Sequence, residues 1–261
     1  MSETESPSAD LTPSTARRVL DVLYALTDSE DGMSVRGIAD QIGSSRSSTH
    51  RILRAMADDQ FVEQKPDGGY VIGVRMVELG ARVLGVVPLL KYANELMRRL
   101  VSEVAETAYL ATFDRESLFA TFVHRVESTR PIRHVQPLGT RIPLHAGAVG
   151  KAILFADETI NLAELPLPAV TPHTIVDHVA LEKDILEARK RGYAVSREER
   201  VEGIIGVAAP LMSGDVVVGG LAVAVPVGHE GATDIDRVGE LVKRCAADIS
   251  ATLNAMGVNR L

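Results

Sequence analysis

The N-terminal part of the chain takes its fold from one stretch, Ser34–Arg54, which reads SVRGIADQIGSSRSSTHRILR. Core-type residues recur there at the i, i+3, i+4, i+7 spacing of a helix face in two successive segments, which are Val35, Ile38, Ala39 and Ile42, then Thr49, Ile52, Leu53 and Met56. Ser34 stands where it can cap the first segment, and Gly43 lies between the two, where a tight turn favours glycine. The pattern predicts a helix-turn-helix.

The second of these helices carries cations on the face opposite its apolar stripe. Arg51 and Arg54 lie on that face, and no carboxylate occurs between residues 44 and 56. The whole chain has a net charge of −7, but charge attraction falls off within about 8 Å at physiological salt, so the contacting face decides whether phosphates are attracted. We therefore predict a DNA-binding surface, with Arg46 and Arg51 as its strongest contacts. Its residues are Ser45, Arg46, Ser47, Ser48, Thr49, His50, Arg51 and Arg54. The alternatives are a merely solvated basic face and, for His50, a packing role against the preceding helix.

Two flanking segments extend this motif to a winged helix-turn-helix. Phe61–Lys65 and Tyr70–Ile72 have the composition of short strands, and the turn residues Pro66–Gly69 join them. A further helix upstream is marked by Val19, Val22, Leu23 and Leu26. We assign residues 13–73 to a DNA-binding domain, and residues 1–12, which are polar and acidic, to a disordered arm.

The remaining sequence predicts a linker helix and a larger domain. A helical pattern over Val74–Val87 is ended or kinked by Pro88, so residues 74–90 are predicted to link the domains. Over residues 91–261, helices are predicted at Tyr92–Val104, Val149–Phe155, Leu181–Arg191 and Thr233–Met256, and strands at Ala108–Phe113, Leu118–Val126, Ile132–Val135, Gly203–Met212 and Val216–Val227. An antiparallel sheet with helices packed on it is the simplest arrangement, so the predicted fold class is α+β.

Composition excludes several classes of protein. No apolar run approaches the roughly 20 residues of a membrane span, and the polar N-terminus is unlike a signal peptide. The single cysteine, Cys245, rules out an intrachain disulfide framework and a cysteine-cluster metal site. We expect a cytoplasmic protein with no membrane partner, no metal and no cofactor.

An enzyme is the alternative from another class, and the sequence argues against it. The Gly-Lys pair at 150–151 is similar to part of a phosphate-binding loop, but His145 occupies the required glycine position and Ala152 stands where Ser or Thr is needed. The sequence also contains three potential metal ligands, His173, Asp177 and His178. They lie in a Pro-flanked loop, where such side chains are more often simply solvated. No catalytic residue is assigned.

Several motifs, taken in order, make the chain similar to one family. They are Ser47–Leu53 (SSTHRIL), Asp67–Gly73 (DGGYVIG), Arg125–Ser128 (RVES), Arg141–Ala146 (RIPLHA), Ala148–Ala152 (AVGKA), Arg191–Tyr193 (RGY) and Val207–Pro210 (VAAP). On these motifs the chain resembles the IclR family of bacterial transcriptional regulators from about Thr15 to Met256. The resemblance implies a GAF-like effector-binding C-terminal domain, control of a catabolic operon (more often by repression) in response to a small molecule, and a homodimer or a tetramer built as a dimer of dimers. Because one recognition helix reads few base pairs, we expect palindromic double-stranded operator DNA with two half-sites.

The resemblance also implies an effector site. In relatives it is formed by an Ala-Val-Gly segment at a helix N-terminus, an acid after Arg-Gly-Tyr, a cysteine before Val-Ala-Ala and a Ser-x-Ser pair. Small residues replace the last four groups in this chain, namely Ser196, Gly206, Ala222 and Ala224. The full predicted set is His134, Ile142, Ala148, Val149, Gly150, Ser196, Ile204, Gly206, Ala222 and Ala224.

These replacements remove polar groups and leave small side chains, so we expect a roomier, more apolar pocket. An aromatic acid or its neutral derivative is the predicted effector, and a carboxylate would meet the amides of the helix N-terminus. One alternative is a C-terminal domain that no longer binds a ligand and serves only assembly. For His134 the alternative is a surface histidine on a strand.

Overall fold

The fold is described from a computed structural model, which covers residues 14–29, 31–86 and 88–257, with the side chains of residues 84–86, 88, 89 and 91 left aside. The predicted arm, residues 1–12, lies outside the described residues. The chain divides into two compact units, residues 1–86 and 87–261. Each unit is described by itself.

The first unit is a winged helix-turn-helix followed by a further helix. Its elements are α1 (Thr15–Thr27), α2 (Val35–Gln41), α3 (Arg46–Asp58), β1 (Val62–Gln64), β2 (Tyr70–Ile72) and α4 (Val74–Val86). Serine hydroxyls cap the first three helices: Ser14 accepts from the Arg17 amide, Ser34 from the Gly37 amide and Ser45 from the Ser48 amide. Between α2 and α3, Gly43 has φ of 62°, which explains the glycine in the turn.

One apolar core holds this unit together, and the predicted helix faces supply it. Its buried members are Val22, Ala25, Leu26, Ile38, Ile52, Leu53, Met56, Val62 and Tyr70. β1 and β2 pair antiparallel as the predicted wing, and a bridge between Met33 and Tyr70 ties the segment before α2 to β2.

The second unit is built on a six-stranded antiparallel sheet of order β5-β4-β3-β8-β7-β6. Its strands are β3 (Thr107–Asp114), β4 (Phe119–Val126), β5 (Arg141–Pro143), β6 (Ala194–Arg197), β7 (Ile204–Ser213) and β8 (Val216–Pro226). Its α-helices are α5 (Pro88–Val104), α6 (Ala148–Ala156), α7 (His178–Arg191) and α8 (Ile235–Met256), with short 3₁₀ turns at Leu162–Glu164 and Glu230–Thr233.

The two faces of the sheet form two separate cores because side chains alternate along each strand. On β7, Val207 and Ala209 belong to the core beneath α5 and α8, whereas Ala208 belongs to the core beneath α6 and α7. On β8, Val223 belongs to the first of these cores and Ala222 to the second. The second core carries the small residues of the predicted effector site.

Three sequence-based predictions need correction here. The predicted strand Ile132–Val135 is an irregular segment, because Pro131 and Pro137 flank it and cannot donate ladder hydrogen bonds. The edge strand beside β4 is instead β5, and β6 was missed altogether. The helix predicted from Tyr92 begins earlier, because Pro88 is the first residue of α5, a position where its fixed φ and missing amide are tolerated; α4 ends at Val86, just before this proline, as predicted.

No helix in the described part of the chain is long and apolar enough to cross a membrane. Within that same part, no group of three or more His, Cys, Asp or Glu side chains is arranged to hold a metal ion. The proposed loop ligands have other roles: Asp177 caps α7 by accepting from the Ala180 amide at 2.8 Å, and the His178 ring contacts the Leu165 carbonyl oxygen at 3.2 Å.

Candidate functional site

The exposed face of α3 presents most of the predicted DNA-binding residues to solvent. Ser45, Arg46, Ser47, His50, Arg51 and Arg54 are exposed. The Ser45 hydroxyl accepts from the Ser48 amide at 3.3 Å and also lies 3.3 Å from the Ser47 hydroxyl, so the start of the helix is held in a fixed conformation. His50 is exposed, so packing against the preceding helix is not its role.

The arginines of α3 have no acidic partner among the described residues, unlike Arg17 and Arg36 on the two preceding helices. Arg17 pairs with Asp21 at 3.4 Å on α1, and Arg36 pairs with Asp40 at 3.6 Å on α2. Arg46, Arg51 and Arg54 form no ion pair with any residue that the structure describes. Their charges are therefore available to an external anion such as a phosphate.

Two predicted contacts are modified by the structure. Thr49 is fully buried, and its hydroxyl has no hydrogen-bond partner among the described residues. It belongs to the core face of α3 and cannot reach DNA, so its inclusion in the predicted surface is wrong. Ser48 is half-buried and accepts a hydrogen bond from the Arg18 guanidinium at 3.5 Å. Arg18 therefore lies beside the predicted DNA-binding surface, although the sequence analysis did not include it there.

The predicted effector residues lie mostly around one cavity on the α6 and α7 face of the sheet. Cross-strand pairing places Ser196 opposite Gly206 and Gly206 opposite Ala224, so these three residues form one row across β6, β7 and β8. In the next row Ala222 lies opposite Tyr109 of β3. The start of α6 covers this row, since Ala148 and Val149 also line the cavity.

All predicted effector residues except one line this cavity. The lining residues are Tyr109, Phe122, His134, Gln136, Ile142, Gly147, Ala148, Val149, Ser196, Arg200, Val201, Ile204, Gly206, Ala222, Val223 and Ala224. The exception is Gly150, where a Cβ atom would lie 2.3 Å from the Leu144 carbonyl oxygen. Gly150 is therefore needed for close packing of α6 against the preceding segment, and its assignment to the cavity wall is corrected.

The cavity is smaller than its small side chains suggest. Its volume is about 50 Å³, room for one or two water molecules. The space left by the alanines and glycine is occupied by Tyr109, Phe122 and Arg200, which the sequence analysis did not assign. The Tyr109 and Phe122 rings pack 4.8 Å apart between centroids. An effector of aromatic size can enter only if part of the wall moves.

His134 lies in the irregular segment between β4 and β5 and not on a strand, which corrects the earlier placement. Its carbonyl oxygen accepts from the Tyr109 hydroxyl at 3.0 Å, and that hydroxyl accepts from the Gln136 amide at 2.9 Å. Burial, followed by the nearby charge of Arg200, lowers the pKa of the His134 imidazole. In the same wall, the Gln136 Oε1 atom is buried without a hydrogen-bond partner among the described residues.

Arg200 is the strongest electrostatic feature of the cavity. Its guanidinium carbon lies 5.4 Å from the centroid of the Phe122 ring, and its Cδ and Nε atoms lie 3.5 Å from where a Cβ of Gly147 would stand. Burial lowers the pKa of this guanidinium. Within the described ranges it forms no ion pair or hydrogen bond.

A buried ion cluster lies next to this arginine. The fully buried Lys151 ammonium contacts Glu199 Oε1 at 2.6 Å and Asp184 Oδ2 at 2.7 Å. Burial raises the pKa of the Glu199 carboxyl despite the opposing influence of Lys151. Lys151 belongs to α6 and Glu199 precedes Arg200, so the cluster joins the helix that covers the cavity to the segment that carries its cation.

The chain is similar to known proteins over both of its units. Residues 81–251 match the model of the bacterial transcriptional regulator IclR C-terminal domain, and residues 9–66 match that of the IclR helix-turn-helix domain. The chain is 32% identical over 197 residues to the transcriptional repressor IclR of Escherichia coli K12, covering 74% of this chain and 72% of that protein. It is 32% identical over 243 residues to the repressor AllR of the same strain, covering 90% and 89%.

Solved structures show the same similarity. An IclR transcriptional regulator from Alicyclobacillus acidocaldarius superposes with a TM-score of 0.82 at 25% identity, covering 91% of this chain and 97% of that one. An IclR homolog from Microbacterium hydrocarbonoxydans, complexed with 4-hydroxybenzoate, superposes with a TM-score of 0.77 at 25% identity, covering 93% and 100%. The chain therefore belongs to the IclR family and is a DNA-binding transcriptional regulator, not an enzyme.

Proposed function

We propose that this regulator is a cytoplasmic repressor of a catabolic operon, controlled by an aromatic acid or its neutral derivative bound in the C-terminal cavity. It would bind palindromic double-stranded operator DNA as a homodimer or a dimer of dimers. Residues 13–73 would contact the DNA, residues 74–90 would form the linker, and residues 91–261 would bind the effector and assemble. The α3 cations, which have no acidic partner among the described residues, support DNA binding, and the cavity beneath α6 supports effector control.

The chemistry of α3 supports operator recognition. Arg46 stands at the N-terminal end of the helix and Arg51 lies one turn and a half further along, both exposed and unpaired within the described residues. An arginine can contact guanine O6 and N7 with two hydrogen bonds, a contact that contributes about 1–3 kcal/mol to discrimination. The serines at the start of the helix can bond either base edges or phosphates.

The chemistry of the cavity supports an aromatic effector. Phe122 and the alanines of β8 provide apolar walls, and the unpartnered Gln136 Oε1 atom can accept a hydrogen bond from a ligand hydroxyl or amide group. The relative from Microbacterium hydrocarbonoxydans was crystallised with 4-hydroxybenzoate. We therefore infer an aromatic ring with at least one hydrogen-bond donor.

The small volume favours a second candidate, a regulator whose C-terminal domain only assembles. At about 50 Å³, the cavity holds no aromatic ring in the conformation described. In the effector-controlled alternative, the ligand displaces part of the wall, and we infer that the irregular segment around His134 yields because it makes no regular strand pairing. The change at His134 and Ala148 would then pass through the linker to the spacing of two recognition helices.

A thermal-shift screen followed by an operator-shift assay tests this function. The purified protein is screened against small keto acids, aromatic acids and the amides, esters and hydrazides of those acids. A stabilising aromatic compound that also changes affinity for the DNA upstream of its own gene supports the proposal. Stabilisation by small keto acids alone refutes the aromatic effector, and operator binding without any hit favours the assembly-only domain.

A further inference from the structure

We propose that Arg200 is the residue that makes the cavity select a carboxylate over a neutral ligand. The inference rests on the proposed function, since it takes the cavity as the effector site, and it adds the chemical group that the site recognises. Arg200 lines the cavity and has no acidic partner in the part of the chain that the structure describes. A half-buried guanidinium without a counter-ion is unusual because burying an unpaired charge is costly.

The nearest helix, α6, also offers groups that an anion would satisfy. The side chain of Arg200 runs beside Gly147, the N-cap residue of α6, which has φ of 93° and no side chain to cap the helix. The first-turn amides of Ala148 and Val149 have no intrahelical acceptor, and none is provided by the other described residues. The Glu199 carboxylate accepts from the Gly147 amide, but an anion beside Arg200 would satisfy the two remaining amides and pair with the guanidinium.

Gly206 keeps this amide end open to the cavity. A Cβ atom at position 206 would lie 3.2 Å from the Ala148 Cβ atom and 3.7 Å from the Ala148 nitrogen. The absence of a side chain on β7 therefore lets the strand approach the first turn of α6 closely without covering the Ala148 amide. Because Ala148 and Arg200 both line the cavity, a carboxylate bound there would face the amide and the guanidinium together.

The segment that carries Arg200 is fixed from both sides, so its cation is held at the cavity. Glu199 contacts the Lys151 ammonium of α6 at 2.6 Å. The Thr174 hydroxyl donates to the Glu199 carbonyl oxygen, and the Thr171 hydroxyl donates to the Glu198 carbonyl oxygen, both at 2.7 Å. Such fixed placement lowers the entropy lost when an anion binds.

The test compares acids with their matched amides in three proteins. Isothermal titration measures 4-hydroxybenzoate against 4-hydroxybenzamide, and acetate against acetamide, for the wild type, Arg200→Met and the control Arg197→Met. Arg197 is an exposed arginine on β6, three residues away. We expect Arg200→Met to weaken acid binding about 10–100-fold and to leave amide binding nearly unchanged, because only the charged contact is lost. Arg197→Met should behave as the wild type.

Stability without ligand separates recognition from a structural role. Arg200 has no acidic partner among the described residues and would lose only its contact with the Phe122 ring, so Arg200→Met should melt close to the temperature of the wild type. A structural arginine would leave an acidic partner unpaired and clearly lower the melting temperature. A clear fall in melting temperature, or an acid-to-amide affinity ratio that Arg200→Met does not change, overturns the inference.

The outcomes also separate this inference from the proposed function. If 4-hydroxybenzoate and its amide bind equally well to the wild type, the aromatic effector stands and carboxylate selection by Arg200 fails. If only acetate binds, and Arg200→Met abolishes that binding, carboxylate selection stands and the aromatic effector fails. If none of the four compounds binds the wild type, both fail.

Discussion

Replacing Lys151 by methionine removes the cation that neutralises two carboxylates, and the structure allows the effect to be estimated. The Lys151 side chain is fully buried, and the side chain of Glu199 is 7% exposed, so Glu199 would lose its counter-charge in a poorly solvated place. Removing one partner of a buried pair costs about 3–5 kcal/mol. Glu199 can instead take up a proton, which limits the cost.

That limit follows from ordinary acid chemistry. A carboxyl of ordinary pKa 4.5 is brought to its neutral form at pH 7 for about 3.4 kcal/mol, at about 1.36 kcal/mol per pH unit. We therefore expect Lys151→Met to lower the free energy of unfolding by about 3 kcal/mol at pH 7. For a domain of this size the melting temperature should fall by about 6–12 °C.

The pH dependence of the loss identifies its cause. In Lys151→Met the folded-state pKa of Glu199 is raised further above its unfolded value, so the stability of the variant should recover as the pH falls towards 4.5. Thermal melts of Lys151→Met across this range measure the recovery. The control is Lys190→Met, which breaks an exposed pair with Glu187 and should leave the melting temperature unchanged. A loss that does not shrink at lower pH would refute the reasoning, because it would point to packing and not to charge.

Three further predictions follow from the two sites. Arg51→Ala should weaken operator binding by about 1–3 kcal/mol and relax specificity at the base pair that Arg51 contacts, whereas Arg99→Ala in the other unit should do neither; titrations against the operator and its single-base variants measure both. Gly206→Val should fill the cavity and abolish ligand-induced thermal shifts while operator binding persists in a mobility-shift assay. Burial lowers the pKa of His124 and His134 below 6.5 in the folded state. The stability that their neutral forms contribute is therefore present above pH 6.5 and is lost as the pH falls below it. Thermal melts of the wild type and of the double variant His124→Gln and His134→Gln should diverge in that range.

The helices of the first unit were predictable because each has a local cause. The apolar spacing of α2 and α3 marks their buried faces, and serine caps mark where they begin. By contrast, β6 has only four residues and is an edge strand whose pairing with β7 depends on residues distant in sequence. The segment 132–135 has strand-like composition, but the prolines beside it prevent regular pairing.

The cavity was predictable only in part, for a related reason. The small residues of β7 and β8 were found through the resemblance, and the sheet register brings them into adjacent rows. The groups that fill the resulting space were not found, because Tyr109 and Phe122 reach it from two other strands. Arg200 follows three charged residues in the run Arg197–Arg200, which by composition is typical of a solvated loop. Only the fold reveals that Glu199 and Arg200 of this run lie at the N-terminus of α6.

The small volume of the cavity bears directly on how an effector could act. A ligand shifts a conformational equilibrium only to the extent that it binds one state better than another. A cavity that already matched an aromatic ring could be filled without any change in its walls. Here a volume of about 50 Å³ excludes the ring from the described conformation, so an aromatic effector must bind an opened conformation preferentially. The residues that close the cavity in the described state, Tyr109 and Phe122, would therefore set the size of the response. Phe122→Leu should open the cavity and tighten ligand binding, while the ligand-dependent change in operator affinity becomes smaller. Tighter binding with an undiminished operator response would show that closure of the cavity is not the element that couples ligand to DNA.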